Sequence, residues 1–165
     1  MGSLDALIGE RINNLDMKIY HSINNYMVEN KYIKVEDVHI IQDKLNQLNY
    51  KDKTWVGFEI AAFELNLITE ENLIEIINNF RNIEVVSKEE ILNMKILFNN
   101  FNYELCDKYK FVEYKNHDNI SNTMMILASF NKANEVNEML KRKYSNFKIR
   151  YTIPLYIDQI LNSQQ

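Results

Sequence analysis

Glycine and proline are nearly missing from this chain. Its 165 residues include three glycines, Gly2, Gly9 and Gly57, and one proline, Pro154. Loops that cradle phosphates need glycine so that the backbone can come close to the ligand. With Gly57 alone beyond position 9, neither a Walker A loop nor a dinucleotide loop can be formed, and Lys53–Thr54 matches the end of a Walker A motif only by accident. Turns fall instead to Asn, Asp and Lys. A single cysteine, Cys106, excludes an internal disulfide. With no redox or zinc spacing around it, a reducing cytosol is the expected compartment. No run approaches the ~18–20 apolar residues that cross a bilayer. The opening "MGSLDALIGERINN" is charged within five residues and builds no signal-peptide core. Charge of one sign is also scarce. The net charge of -4 argues against a broad phosphate-binding surface and so against nucleic acid.

Apolar residues make up 46% of the chain and charged residues 25%, enough for one ordinary domain or two small ones. Asparagine occurs 24 times, mostly at positions where any polar residue would serve. The first 80 residues read as helical. Leu7, Ile8, Ile12, Leu15, Ile19, Ile23, Tyr26 and Met27 form one stripe over 5–29. Further helices fit about 35–48, 54–65 and 70–81. Thr69 is a natural N-cap for the last of these, with Glu70 and Glu71 placed well against the helix dipole.

This half repeats itself. "ENKYIKVEDVHII" (29–41) slides onto "ELNLITEENLIEI" (64–76), setting Glu29 on Glu64, Ile33 on Ile68, Glu36 on Glu71 and Ile41 on Ile76. Upstream, Ile23 matches Phe58; downstream, Val38 matches Leu73 and Leu45 matches Phe80. Each copy reads as helix, tight turn, helix. An apolar pair at the corner, Tyr32–Ile33 or Leu67–Ile68, plugs the gap between the helices. Neither hairpin can bury a face alone, so the two should pack together. Lys34, which stands where Thr69 does, is a poor cap, and a looser helix start is expected there.

Near residue 84 the pattern changes. "IEVVS" is short and β-branched. Ser87 to Glu90 forms a capping box expected to open a helix reaching about 99. A short helix ending near Tyr109 follows. "KFVEYK" (110–115) and "FKIRYTI" (147–153) alternate as strands do, and "NTMMILAS" (122–129) reads as a buried strand. Between them lies an amphipathic helix over 131–144, and Pro154 opens a closing helix. The fold class expected is α+β. A helical bundle of two tandem hairpins (1–82) precedes a small α/β sandwich with a three- or four-stranded sheet (83–165).

Few residues suggest chemistry. His21, His39 and His117 are scattered, and His39 with Asp43 four residues on is more simply a solvated helix face than a metal site. Cys106 reads as a small core residue. Glu70–Glu71 and Glu89–Glu90 serve helix dipoles. Trp55 is an anchor for either a core or an interface. No catalytic, cofactor-binding or metal-binding residue is assigned. The one basic group is Lys141, Arg142 and Lys143 with Lys148 and Arg150, a candidate surface for an acidic partner.

"FELNLITEENLIEIINNF" (63–80), "NYELCDKYKFVEYKN" (102–116) and the strand–helix–strand–helix order of 122–161 resemble the N-terminal domains of type II secretion and type IV pilus assembly ATPases. The resemblance spans roughly 55–161, and the tandem helical phrase extends it to about residue 20. It implies a non-enzymatic adaptor that ties a motor ATPase, or its regulator, to the cytoplasmic part of an inner-membrane platform protein. Such a protein is bacterial and cytoplasmic, and peripheral at the inner membrane through its partner. The ATPase core is not in this sequence.

In one branch of that family, tandem copies of the phrase bind cyclic di-GMP through an arginine, two glycines and a closing glutamine. Here the arginine position holds Ser22 and Gly57, the first glycine Asn24 and Glu59, the corner glycine Lys31 and Asn66, and the glutamine Leu45 and Phe80. Arginine stacks on guanine and meets phosphate, and Glu59 would repel phosphate. The resemblance therefore carries a degenerate motif, which makes cyclic-di-nucleotide sensing the alternative reading and disfavours the ligand.

Overall fold

The computed structural model describes residues 23–52, 56–116 and 123–164, without the side chains of 50–52. The expected stripe over 5–22, His21, Ser22, Trp55 and His117 lie outside the described residues. The chain divides into two compact units, Met1–Phe80 and Arg81–Gln165. It is an α+β protein with a helical first unit and a four-stranded mixed sheet in the second.

The first unit contains α1 (residues 23–29), α2 (Asp37–Asp52), α3 (Phe58–Glu64) and α4 (Glu70–Phe80). The two hairpins repeat down to their backbone hydrogen bonds. At the end of α1, Lys31 N–H donates to the Val28 carbonyl and Tyr32 N–H to that of Met27. At the end of α3, Asn66 N–H donates to Phe63 and Leu67 N–H to Ala62. These are two Schellman turns, in which the residue after the cap must adopt a left-handed conformation. The plug behind each turn is Ile33 or Ile68, 6% and 5% exposed, so each corner gains the ~1.5–3 kcal/mol typical of a buried aliphatic side chain.

The hairpins also divide a capping box between them. Thr69 Oγ1 accepts from Asn72 N–H, the N-cap half. In the first copy the other half is present. Asp37 Oδ2 accepts from Lys34 N–H at 3.0 Å. The start of α2 is therefore tied, not loose, because the carboxylate of Asp37, its first residue, holds the Lys34 backbone. Across the copies, Tyr26 lies 5.3 Å from Phe80 between ring centroids, and the Tyr32 hydroxyl donates to Glu75 Oε2 at 2.9 Å. Partial burial and then that acceptor push the Tyr32 phenol up to about 12.

The second unit runs α5 (Lys88–Leu92), β1 (Lys95–Leu97), α6 (Tyr103–Tyr109), β2 (Phe111–Lys115), β3 (Met124–Ser129), a 3-10 turn (Phe130–Lys132), α7 (Ala133–Lys141), β4 (Phe147–Thr152) and α8 (Pro154–Asn162). Strand order follows sequence order. β1, β2 and β3 are antiparallel neighbours, and β4 joins β3 in parallel through the α7 crossover. The helix expected from Ser87 to about 99 is corrected. Ser87 does cap it, accepting from Glu90 N–H, but Asn93 ends it after five residues. Met94, Ile96 and Phe98 then follow a period of two, and pairing with β2 makes Lys95–Leu97 a strand. The expected helix over 131–144 is shorter, because its first turn is 3-10 and α7 closes at Lys141.

The outer side of β4 is closed by the chain before α5. Val86 N–H donates to the Tyr151 carbonyl at 2.8 Å, and Thr152 Oγ1 donates to the Val86 carbonyl at 2.9 Å. The core gathers Phe111, Val112 and Tyr114 of β2, Ile126, Leu127 and Ala128 of β3, Val136 and Leu140 of α7, and Ile157 and Leu161 of α8. Lys110 closes α6 in a left-handed conformation, and its ammonium meets Asp107 and Asp158 at 2.8 Å each.

Candidate functional site

The positions that correspond to the ligand motif fall at structurally distinct places in the first unit. Lys31 (φ 63°) and Asn66 (φ 60°) occupy the left-handed corner of each Schellman turn, a conformation that glycine adopts without steric cost. Gly57 caps α3 in extended backbone (φ -76°), so its conformation does not require glycine. Glu59 in the first turn of α3 is fully buried, and Phe80 closes α4 against Tyr26. Asn24 borders an open groove of about 500 Å³ between α1 and α2, lined also by Asn25, Val28, Val35, Val38, His39 and Gln42. Leu45 is half-buried on α2. The corresponding positions in the second copy, such as Ile60, Leu73 and Ile77, are buried, so the copies share a backbone and differ in surface.

The basic group lies in the second unit. Lys141 is the last residue of α7, and Arg142 and Lys143 follow it; all three are exposed. Lys148 is exposed on β4, and Arg150 follows two residues later on the same face of the strand. Arg150 differs from the other four. Its guanidinium holds Glu90 Oε2 at 2.9 Å, which with nearby Tyr114 keeps its pKa above the ordinary arginine value despite the opposing effect of burial. Sixty residues separate Arg150 from Glu90 in the chain, so the sequence offered no signal for this pair.

The other candidates occupy ordinary structural settings. His39 Nε2 stands 3.5 Å from Asp43 on a solvated face, with the two side chains 87% and 61% exposed. Cys106 is buried, and burial followed by the charge of Glu113 pushes its thiol up to about 11. That suppresses the thiolate a nucleophile needs. Among the described residues no three His, Cys, Asp or Glu side chains come together as a metal site would require. Among the same residues no helix is long and apolar enough to cross a membrane.

A tandem helical-hairpin unit followed by a four-stranded mixed sheet defines the class of α+β protein to which comparison applies. The sequence matches no family model and no curated protein. Among solved structures, that of MshE with cdg is similar. The TM-score is 0.53 at 9% identity, over 87% of this chain and 98% of that one. At that identity the likeness is one of fold.

Proposed function

We propose that this chain is a non-enzymatic docking domain that joins a secretion or pilus assembly motor, or its regulator, to the cytoplasmic part of an inner-membrane platform protein. The observation that carries the proposal is the fold likeness to MshE, which covers 87% of the chain and so extends into both units. The surface offered to the partner is the exposed basic group Lys141, Arg142, Lys143 and Lys148, with Arg150 anchoring the strand through Glu90. Rim charges of this kind act mainly on association rate and salt dependence.

The test is an affinity pull-down from native membrane and cytosol extracts, read by mass spectrometry and repeated with Lys141, Arg142 and Lys143 reversed to Glu. Recovery of a platform protein or motor subunit, weakened and made less salt-sensitive by the reversal, is the expected result. Recovery of neither class of protein refutes the docking role, and an unchanged salt slope moves the dock elsewhere on the chain.

A second reading, cyclic-di-nucleotide sensing, is favoured by one observation: the similar structure is MshE with cdg. The side chains here oppose it, since Asn24, Lys31, Leu45, Glu59, Asn66 and Phe80 supply neither the close-approach glycines nor the glutamine, and Gly57 supplies no guanidinium. Calorimetric titration with cyclic di-GMP separates the readings. Micromolar binding would establish the sensor.

A further inference from the structure

A groove of about 370 Å³ lies where the end of α6 meets α7, lined by Tyr109, Asn134, Glu135, Glu138, Met139 and Arg142. Residues 135, 138, 139 and 142 are spaced i, i+3, i+4, i+7, so they form one stripe along α7. This stripe is separate from the one that Val136 and Leu140 bury in the core. Its centre is apolar, with Met139 and the Tyr109 ring half-exposed. Its ends carry opposite charge. Glu135 is exposed in the first turn of the helix and Glu138 beside Met139, and Arg142 is exposed just past the helix end. The ammonium of Lys108 already lies 5.3 Å from the Tyr109 ring centroid, so that ring takes a cation on one side.

Resting on the docking role proposed above, we infer that this groove receives a linear peptide segment of the partner, in which an apolar side chain is flanked by Lys or Arg on one side and a carboxylate on the other. The apolar side chain seats between Tyr109 and Met139, whose adaptable thioether suits an anchor of variable shape. The partner's cations meet Glu135 and Glu138, and its carboxylate meets the Arg142 guanidinium in the bidentate geometry that arginine favours. The groove is an open trough, and a side chain projecting from an extended or helical backbone fits it better than an enclosed small molecule does.

The experiment is selection from a phage-displayed library of random dodecapeptides on the full chain, followed by fluorescence anisotropy with the enriched peptides. Enrichment of an apolar residue with Lys or Arg on one flank is expected. Affinity for the double variant E135K/E138K should fall at least tenfold, and R142E should reverse the charge preferred on the other flank. All three substitutions are at exposed positions, and unchanged thermal melts check that the variants fold. Peptides that bind E135K/E138K as well as the parent overturn the assignment, as do enriched acidic flanks at the glutamate end or no enrichment at all. If selection fails while the pull-down still recovers a platform protein, the docking role stands and only the groove is rejected.

Discussion

Lys31 and Asn66 stand 35 positions apart and share one backbone conformation, φ 63° and φ 60°, at the corners of two helical hairpins. Each donates its N–H three residues back, to Val28 and Phe63. A left-handed conformation costs an L-residue roughly 1–2 kcal/mol, and less for asparagine. The repeated turn is therefore strained in the first copy, where Lys31 is a poor fit, and less so in the second, where Asn66 suits the conformation better. Lys31→Gly should stabilise the chain by about 0.5–1 kcal/mol once glycine's larger unfolded-state entropy is counted. Asn66→Gly should gain less. Urea midpoints of the two variants measured side by side check the order, and a destabilised Lys31→Gly contradicts the turn geometry.

Tyr114 is 1% exposed, and its hydroxyl makes no hydrogen bond of ordinary geometry. Burial raises its pKa, and the neighbouring Arg150 guanidinium counters part of that rise. A buried hydroxyl without a well-formed hydrogen bond costs ~1–3 kcal/mol, and the adjacent Arg150 guanidinium offsets part of that, so removing the hydroxyl relieves a small penalty. Tyr114→Phe should leave stability unchanged or raise it by up to about 1 kcal/mol in chemical denaturation. A loss above about 1 kcal/mol would show that the hydroxyl has a partner after all.

Thr152 presents the opposite case. It is fully buried, and its hydroxyl satisfies the Val86 carbonyl at the edge of β4. Thr152→Val keeps the shape and strands that carbonyl, at a cost of about 1–2 kcal/mol. Amide exchange should show faster opening at Val86, whose N–H donates to Tyr151. Unchanged protection there would mean that the edge is held by packing alone.

What the sequence revealed and what it concealed follow from the range of the forces involved. Caps are local, so Thr69, Ser87 and Pro154 marked three helix starts that the structure keeps. The strands expected at 110–115 and 147–153 are present as β2 and β4, although β2 is buried on both faces from Phe111 to Tyr114 and does not alternate. β1 was concealed because a strong cap at Ser87 led into an apolar run, and only pairing of Lys95 with Lys115, Ile96 with Tyr114 and Leu97 with Glu113 decides that run. Candidate sites suffered more. The corner positions could be placed by resemblance, but their positive φ could not be seen. The Arg150–Glu90 pair and the groove between Tyr109 and Arg142 join distant segments that carry no shared motif.

Cys106 provides a pH test. Its thiol is buried, and its pKa is raised from 9.0 to about 11 by burial and then by the charge of Glu113. The folded state therefore holds this proton more tightly than the unfolded chain does. By linkage, the stability this group contributes is fully present below pH 9 and is lost as pH rises from 9 through about 11. Labelling with a thiol-specific disulfide reagent at pH 8 should be slow in the native protein and fast in denaturing urea, because a buried, protonated thiol is a poor nucleophile. Glu113 keeps its own place through Asn100, which donates to Oε1 at 2.8 Å. Glu113→Gln removes the charge and preserves an acceptor, so native labelling should quicken modestly, with its midpoint moved to lower pH. A midpoint that does not move would leave burial as the whole cause. Fast native labelling of the parent at pH 8 would place Cys106 at the surface and overturn the reading of it as an inert core residue.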